Sequence, residues 1–422
     1  CSTGMTIYGR PDTDLPAMVD AGRDTLQWGL GWRHVTCTLV FFIVVICYAD
    51  RTNIGIVLAQ ANFPGIPHKD KGIILSAFFG GYFCTQILGG FLARRWGSKP
   101  TLLLAAVVWT LFDVLTPLAA QLGVTWLILD RFAMGLGEGL MFPTQHAFSS
   151  FWVPTHERAF LITFMTSGQD LGSVAANVVS PHLVDVGVWC VFAFWGGFAL
   201  IWFLMFVALG ASAPEVHTQC VRSGEALWIQ QKRGAASFHE TRLVGEFPIP
   251  KRLLREPCVW AIFAGHVGCN YAWYVMLSWM PTFFKGRYDL SLEGSPLILA
   301  APYLASWAGG VLGGRVSDAL VAIGYRTRHV RKVVHVAGAL GNAFFLQLAA
   351  RSSTSASAAV WISLGAFMGR MQNAGYWVNM VDICPETAAT IMGMSNTMGT
   401  IPGIVGQPIT QAILQGSGGD RS

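Results

Sequence analysis

The sequence predicts an all-α membrane protein made of two pseudo-symmetric halves. Three observations carry this. Of 422 residues, 53% are hydrophobic and 12% charged, whereas a soluble domain carries roughly twice that charged fraction. The mean hydropathy is +0.48, and apolar runs of the ~20 residues that span a bilayer recur along the chain. A pattern at the end of the second run returns at the end of the eighth. The 16 Trp and 47 Gly fit the same class, with Trp at membrane interfaces and Gly where helices pack.

In order, a polar tail (1–31) precedes six expected spans near 33–60, 72–93, 100–120, 124–149, 159–182 and 188–210. Five more follow near 258–284, 295–320, 331–350, 357–380 and 388–415. The expected units are a six-helix bundle (32–214), a linker (215–256), a second bundle (257–415) with five helices present, and a tail (416–422). A twelfth helix is due after the eleventh. The chain opens on Cys1, so further sequence is expected ahead of it. The linker carries Arg222, Lys232, Arg233, Arg242, Lys251, Arg252 and Arg255. It reads as flexible and, by the positive-inside rule, cytoplasmic. Arg94, Arg95 and Lys99 after span two, and Arg326, Arg328, Arg331 and Lys332 after span eight, agree. The repeat is GGFLARRWGSK (89–99) against GGRVSDALVAIGYRTRHVRK (313–332), a double Gly, a turn and a basic loop, as in repeat-built transporters.

The net charge of +5 belongs to such loops and not to nucleic-acid binding. The nine Cys form no C-x-x-C pair and read as reduced apolar residues, so neither a disulfide framework nor a metal site is expected. No P-loop, H-E-x-x-H, nucleophile elbow or dinucleotide fingerprint occurs, which argues against an enzyme or an ATP-driven pump.

Ionisable residues inside spans cost several kcal/mol, by estimates from about +2.5 upward, unless they face a partner or a wet cavity. This chain has Asp50, Arg51, Asp113, Asp130, Arg131, Glu138, Asp170 and Arg370 there. As a group they point to a polar pathway. Arg131 and Glu138 lie two helical turns apart, about 10 Å along one face, and His146 falls near that face. A fixed Arg suits a carboxylate or phosphate through its planar fork. A carboxylate whose charge is costly to bury suits proton or cation coupling. Asp50 and Arg51, within ICYADRTNIGIVL (46–58), would face the same central cavity from span one. A purely structural Asp–Arg bridge is the alternative. Gly135 and Gly139 form a small-xxx-small pair for close helix contact.

With these residues in place, the chain resembles the anion:cation symporters of the major facilitator superfamily, which include solute carrier family seventeen and the plant plastid phosphate/anion transporters. The resemblance rests on Asp50-Arg51-x-Asn53 and on GIILSAFFGGYFCTQILGG (72–90). It extends to RFAMGLGEGLMFPTQHAFSSFWVPTHER (131–158), YAWYVMLSWMPTFF (271–284) and GYWVNMVDICPETAATIMGMSNTMGTIPGIVGQPI (375–409). It implies a twelve-helix, two-domain rocker with a central anion site, Arg51 and Arg131 handling the anion and Asp50 and Glu138 the coupling cation. His146 matches a His of the sialin and vesicular glutamate members. Asn53, Tyr82, Gln86, Asn270, Tyr274, Asn379 and Asn396 complete the implied cavity set. Departures are Arg94 where Gly-x-x-x-Asp-Arg has Asp (its second-half counterpart keeps Asp318), and Gly80 where Trp is usual. Leu75 and Cys269 replace a His and an Arg of the vesicular glutamate members, which argues against glutamate. Asp113 and Asp170 stand where the family pattern is uncharged.

The expected function is secondary active transport of inorganic phosphate or a small organic anion, coupled to Na⁺ or H⁺ and with no cofactor. The alternatives are an exchanger or facilitator of hexonate, sialate or nucleotide type, or a non-transporting sensor. Spans four, five and seven resemble the plastid phosphate type most. The expected partners are the anion and the bilayer, with the chain a monomer in a plasma, vesicular or plastid membrane.

Overall fold

A computed structural model describes residues 30–60, 71–217, 219–233, 253–289 and 296–416. The described residues form α-helices and short 3-10 turns, without strands. The first half contains α1 (Trp32–Gln60), α2 (Lys71–Arg95), α3 (Ser98–Leu122), α4 (Val124–Glu138), α5 (Met141–Trp152), α6 (Arg158–Val186) and α7 (Val188–Leu209). A short helix, α8 (Ser223–Arg233), follows. The second half contains α9 (Pro257–Tyr288), α10 (Pro296–Ala322), α11 (Thr327–Ala350), α12 (Ser355–Met371), α13 (Tyr376–Ile383) and α14 (Ala388–Gly416).

The expected fourth span is the pair α4–α5, interrupted at Gly139–Leu140, and the tenth is α12–α13, interrupted at residues 372–375. The other helices begin and end within a few residues of the expected spans. Five of them are individually long and apolar enough to cross a membrane: Trp32–Val57, Ile73–Arg95, Ser98–Leu122, Val188–Leu209 and Thr327–Ala350. The place of a twelfth helix, beyond Gly416, and the two tails lie largely outside the described residues.

Helix packing repeats between the halves. In the first, α1 lies on α6, and α4 takes both α2 and α3; in the second, α9 lies on α14, and α12 takes both α10 and α11. Two seams join the halves, α6 on α10 and α2 on α14. Glycine sets the approach of α2 to α4. A Cβ on Gly135 would strike the Phe78 carbonyl, and one on Gly81 the Phe132 carbonyl. Backbone cannot rotate away as a side chain can. Gly135→Leu is therefore expected to destabilise the first half by about 1–3 kcal/mol, read as a lower unfolding temperature of the detergent-purified protein.

The linker is partly ordered, which corrects the expectation of a wholly flexible segment. α8 docks against the first half because it carries partners for buried charges. Arg33, at the start of α1, donates to Glu157 at 2.7 and 3.0 Å and lies 3.6 Å from Glu225 of α8. Arg233 donates to both Glu215 oxygens at 3.0 Å. Burial pushes the Glu157 carboxyl up, but Arg33, with His34 and His156, outweighs this and holds it below its ordinary value. The stabilisation from this clamp is present at neutral pH and is lost as the pH falls through that lowered value.

The seams close tightly on the linker side. A Cβ on Gly314 of α10 would meet Ala159 and Thr163 of α6, and one on Gly90 of α2 would meet the Ala389 backbone of α14. Arg158 donates to Asp382 across the halves at 2.9 Å and to the Arg233 carbonyl at 2.6 Å. Arg331 donates to the other Asp382 oxygen at 2.7 Å. Asp318 accepts the Ala159 and Phe160 N–H groups at 3.1 and 2.7 Å, capping α6. Arg94 holds the matching place in the first half, and a guanidinium has no acceptor with which to cap a helix N-terminus. The two halves thus lock by different means.

Candidate substrate site

Between the halves lies an open cavity whose empty space, open solvent included, is about 710 Å³. It is lined from the first half by Tyr48, Tyr82, Phe142 and Gln169, and from the second by α9, α11, α12–α13 and α14. Tyr82, Asn270, Tyr274 and Asn396, all expected there, are among the lining residues. Asn396 joins the halves by donating to the Tyr82 hydroxyl at 2.8 Å and the Gln86 carbonyl at 3.0 Å. Gln86 itself sits behind that wall, fully buried.

The expectation that Asp50 and Arg51 face one cavity is corrected. Neighbours on a helix point about 100° apart, and here they part company. Arg51 turns toward Glu138, donating from Nε at 3.1 Å and Nη2 at 2.5 Å to one oxygen, Oε2. Cys47 donates to the same oxygen at 3.3 Å. The guanidinium also stacks over Tyr48, Phe78 and Tyr82 at 4.6, 4.7 and 4.9 Å, so it lies directly behind the two tyrosines that line the cavity. Glu138 is fully buried, and its Oε1 has no hydrogen-bond partner among the described residues. Asp50 instead looks into the first half, toward Asp113, Glu138 and Arg131. Neither of its oxygens has a hydrogen-bond partner among the described residues.

Arg131 does share a face of α4 with Glu138, but that face looks into the bundle interior. Its guanidinium bonds Thr116 and lies 3.3 Å from Asp130 and 3.7 Å from Asp113. Both acids come from or face α3 and α4, so Arg131 is occupied inside the first half and does not line the cavity. Asp130 is its nearer acid there and Asp113 the more distant one. Asn53 is likewise turned away from the cavity, accepting from Ser180 at 2.6 Å, which accepts from Trp195 at 3.0 Å. His146 lies under the cavity floor. Its two ring nitrogens face the Phe142 and Trp377 carbonyls at 3.1 and 3.3 Å, and its ring packs on Trp377. Asn379 is half-buried and outside the lining.

The lining contains residues that no motif marked. Gln169, His266, Asn342, Asn373 and Arg370 are among them. Arg370 alone had a signal, as a charge inside a span.

A paired arginine and acid beside a polar cavity between two packed halves is an arrangement suited to a membrane transporter. The sequence and fold comparisons agree. Residues 40–407 match the family model of the Major Facilitator Superfamily. A chloroplastic ascorbate transporter of Arabidopsis thaliana is 33% identical over 386 residues, covering 91% of this chain and 70% of the relative. A chloroplastic sodium-dependent phosphate transport protein 1 of the same plant is 31% identical over 385 residues, covering 91% and 74%. The solved proton:xylose symporter XylE superposes with a TM-score of 0.69 at 14% identity, over 91% of this chain and 90% of that one.

The chain belongs to the Major Facilitator Superfamily, in its anion:cation symporter family. It is therefore a multi-pass integral membrane transporter and not an enzyme.

Proposed function

We propose that the chain carries a small anion across the membrane by alternating access, coupled to the movement of a cation. The carrying observation is the Arg51–Glu138 pair. A cation that can bind an anion is engaged, just behind the cavity wall, by a fully buried acid. An anion and the Glu138 carboxylate compete for the same guanidinium. Protonation of Glu138 removes the competitor, so that proton and anion load together. Asp50, with both oxygens unpartnered, is a second acid able to hold a proton, or with Glu138 a Na⁺. The relatives' names, one for ascorbate and one for sodium-dependent phosphate, support an anionic substrate.

The test is uptake of labelled phosphate, ascorbate, gluconate and sialate into proteoliposomes, with and without pH and Na⁺ gradients. Absence of uptake for every anion would overturn the reading. Uptake indifferent to both gradients would favour the exchanger. Within this scheme Arg51→Lys keeps the charge but loses the fork and the stacking on three rings. Transport should fall by about tenfold or more, the factor of one charge-assisted hydrogen bond. Unchanged kinetics would remove Arg51 from the site. The linker side is taken as cytoplasmic from its Lys and Arg excess. A protease site inserted after Gly234 should then be cut only from the cytoplasm.

A further inference from the structure

A second ion pair spans the two halves at the cavity wall. Arg370 of α12 donates through Nη2 to Asp170 of α6 at 2.5 Å and through Nε to Ser306 of α10 at 3.1 Å. Its guanidinium carbon lies 4.4 Å from the Trp273 ring centre. The pair is asymmetric. Asp170 is fully buried in the wall, and its Oδ2 has no hydrogen-bond partner among the described residues. Arg370 is part-exposed and lines the cavity. Its Nη1 is bonded to no described residue, and, unlike Arg51, Arg370 is one of the residues that line the cavity. A guanidinium carries five N–H donors, and here those on Nη1 are bonded to no described residue.

We propose that Arg370 is the second half's anion-binding residue, that Asp170 is the internal anion the substrate displaces, and that the substrate is an organic carboxylate. The class follows from the surroundings. Asn342 and Asn373 put amides in the lining for hydroxyl or carbonyl groups, and Phe142, Leu346, Trp273 and Trp377 put apolar surface there for a carbon skeleton. Inorganic phosphate has no skeleton to use that surface. Because Asp170 and Arg370 belong to different halves, exchanging this contact for a substrate contact also loosens the α6–α10 seam, which must slide for access to alternate. The inference rests on the anion-transport reading and adds a residue pair and a substrate class to it.

The test is equilibrium binding of labelled gluconate and labelled phosphate to the purified full chain, beside proteoliposome uptake. Arg370→Gln should weaken gluconate binding about tenfold or more, the range for a hydrogen bond to a charged group. Asp170→Asn removes the competitor while keeping its shape, and should tighten gluconate binding several-fold. A purely structural pair makes the opposite prediction for Asp170→Asn, since it would loosen the site. The charge-swapped double variant Asp170→Arg with Arg370→Asp separates the two readings again. It restores a bridge between the halves but places the cation in the wall, so gluconate binding should stay weak. Restored binding, unchanged binding in Arg370→Gln, or weaker binding in Asp170→Asn would each overturn the proposal. Equal responses of phosphate and gluconate would overturn the substrate class. If the wild-type chain takes up anions while Arg370→Gln behaves as wild type, this inference alone fails. If the wild type takes up no anion, the transport reading fails with it.

Discussion

Glu138→Gln is expected to abolish uphill accumulation of the anion while sparing exchange. Gln keeps the shape and a carbonyl acceptor for Arg51, but it cannot take up a proton or balance the guanidinium. Removing one member of a buried ion pair exposes the other to a penalty of about 3–5 kcal/mol. Here a substrate anion can relieve that penalty by taking the place of the carboxylate. The variant should therefore bind the anion well, exchange it, and fail to reorient when empty, because Arg51 then has neither anion nor carboxylate beside it. Arg51 donates twice to one Glu138 oxygen, so loss of that acid leaves the guanidinium without its charged partner. The measurement pairs gradient-driven uptake with counterflow in the same proteoliposomes. Net accumulation equal to wild type would remove Glu138 from the coupling step. Asp50→Asn should give the same loss of accumulation without the gain in binding, because Asp50 makes no bond to Arg51.

Asp382→Asn is expected to open the linker side. Asp382 is shared between Arg158 of α6 and Arg331 of α11, so one carboxylate neutralises two buried guanidinium groups from opposite halves. Its loss leaves two uncompensated cations in the seam. The cost, again about 3–5 kcal/mol for a broken buried pair, falls on the linker-closed conformation, because opening lets both arginines reach water. A shift of that size changes the ratio of conformers by a factor on the order of a hundred or more. Cys384, buried two residues away, gives a readout. In a background lacking the other cysteines, its rate of modification by a membrane-impermeant thiol reagent from the linker side should rise at least tenfold. An unchanged rate would show that glycine packing at Gly90 and Gly314 holds the seam without the ion pairs.

Much of the fold was legible in the sequence because a membrane imposes a simple rule. Backbone polar groups must be satisfied within each segment, so apolar length identifies a span. The repeat of GGFLARRWGSK and GGRVSDALVAIGYRTRHVRK shows as matched helix pairing in the two halves. The interruptions within α4–α5 and α12–α13 were not legible, since hydropathy averages over them. α8 was missed because its apolar residues are few and its docking depends on Arg33 and Glu215, which lie elsewhere in the chain.

The site divides along the same line. From the chain alone one could name which residues carry charge inside spans, since each such charge is costly wherever it points. Their number and type pointed to a polar pathway through the membrane, the feature a transporter needs. The sequence also carried the close approach of α2 and α4, through Gly135 and Gly139. Direction was decided only by tertiary structure. Asp50 and Arg51 are adjacent, yet one faces the bundle interior and the other Glu138. Arg131 and Glu138 share a helix face, yet Arg131 is occupied by Asp130 and Asp113. Arg370 had no motif, yet packing brings it to the cavity opposite Asp170, 200 residues away in sequence. A helix determines which residues share a face, but which face meets water, a partner or lipid depends on the neighbouring helices, and those are chosen by packing across the whole chain.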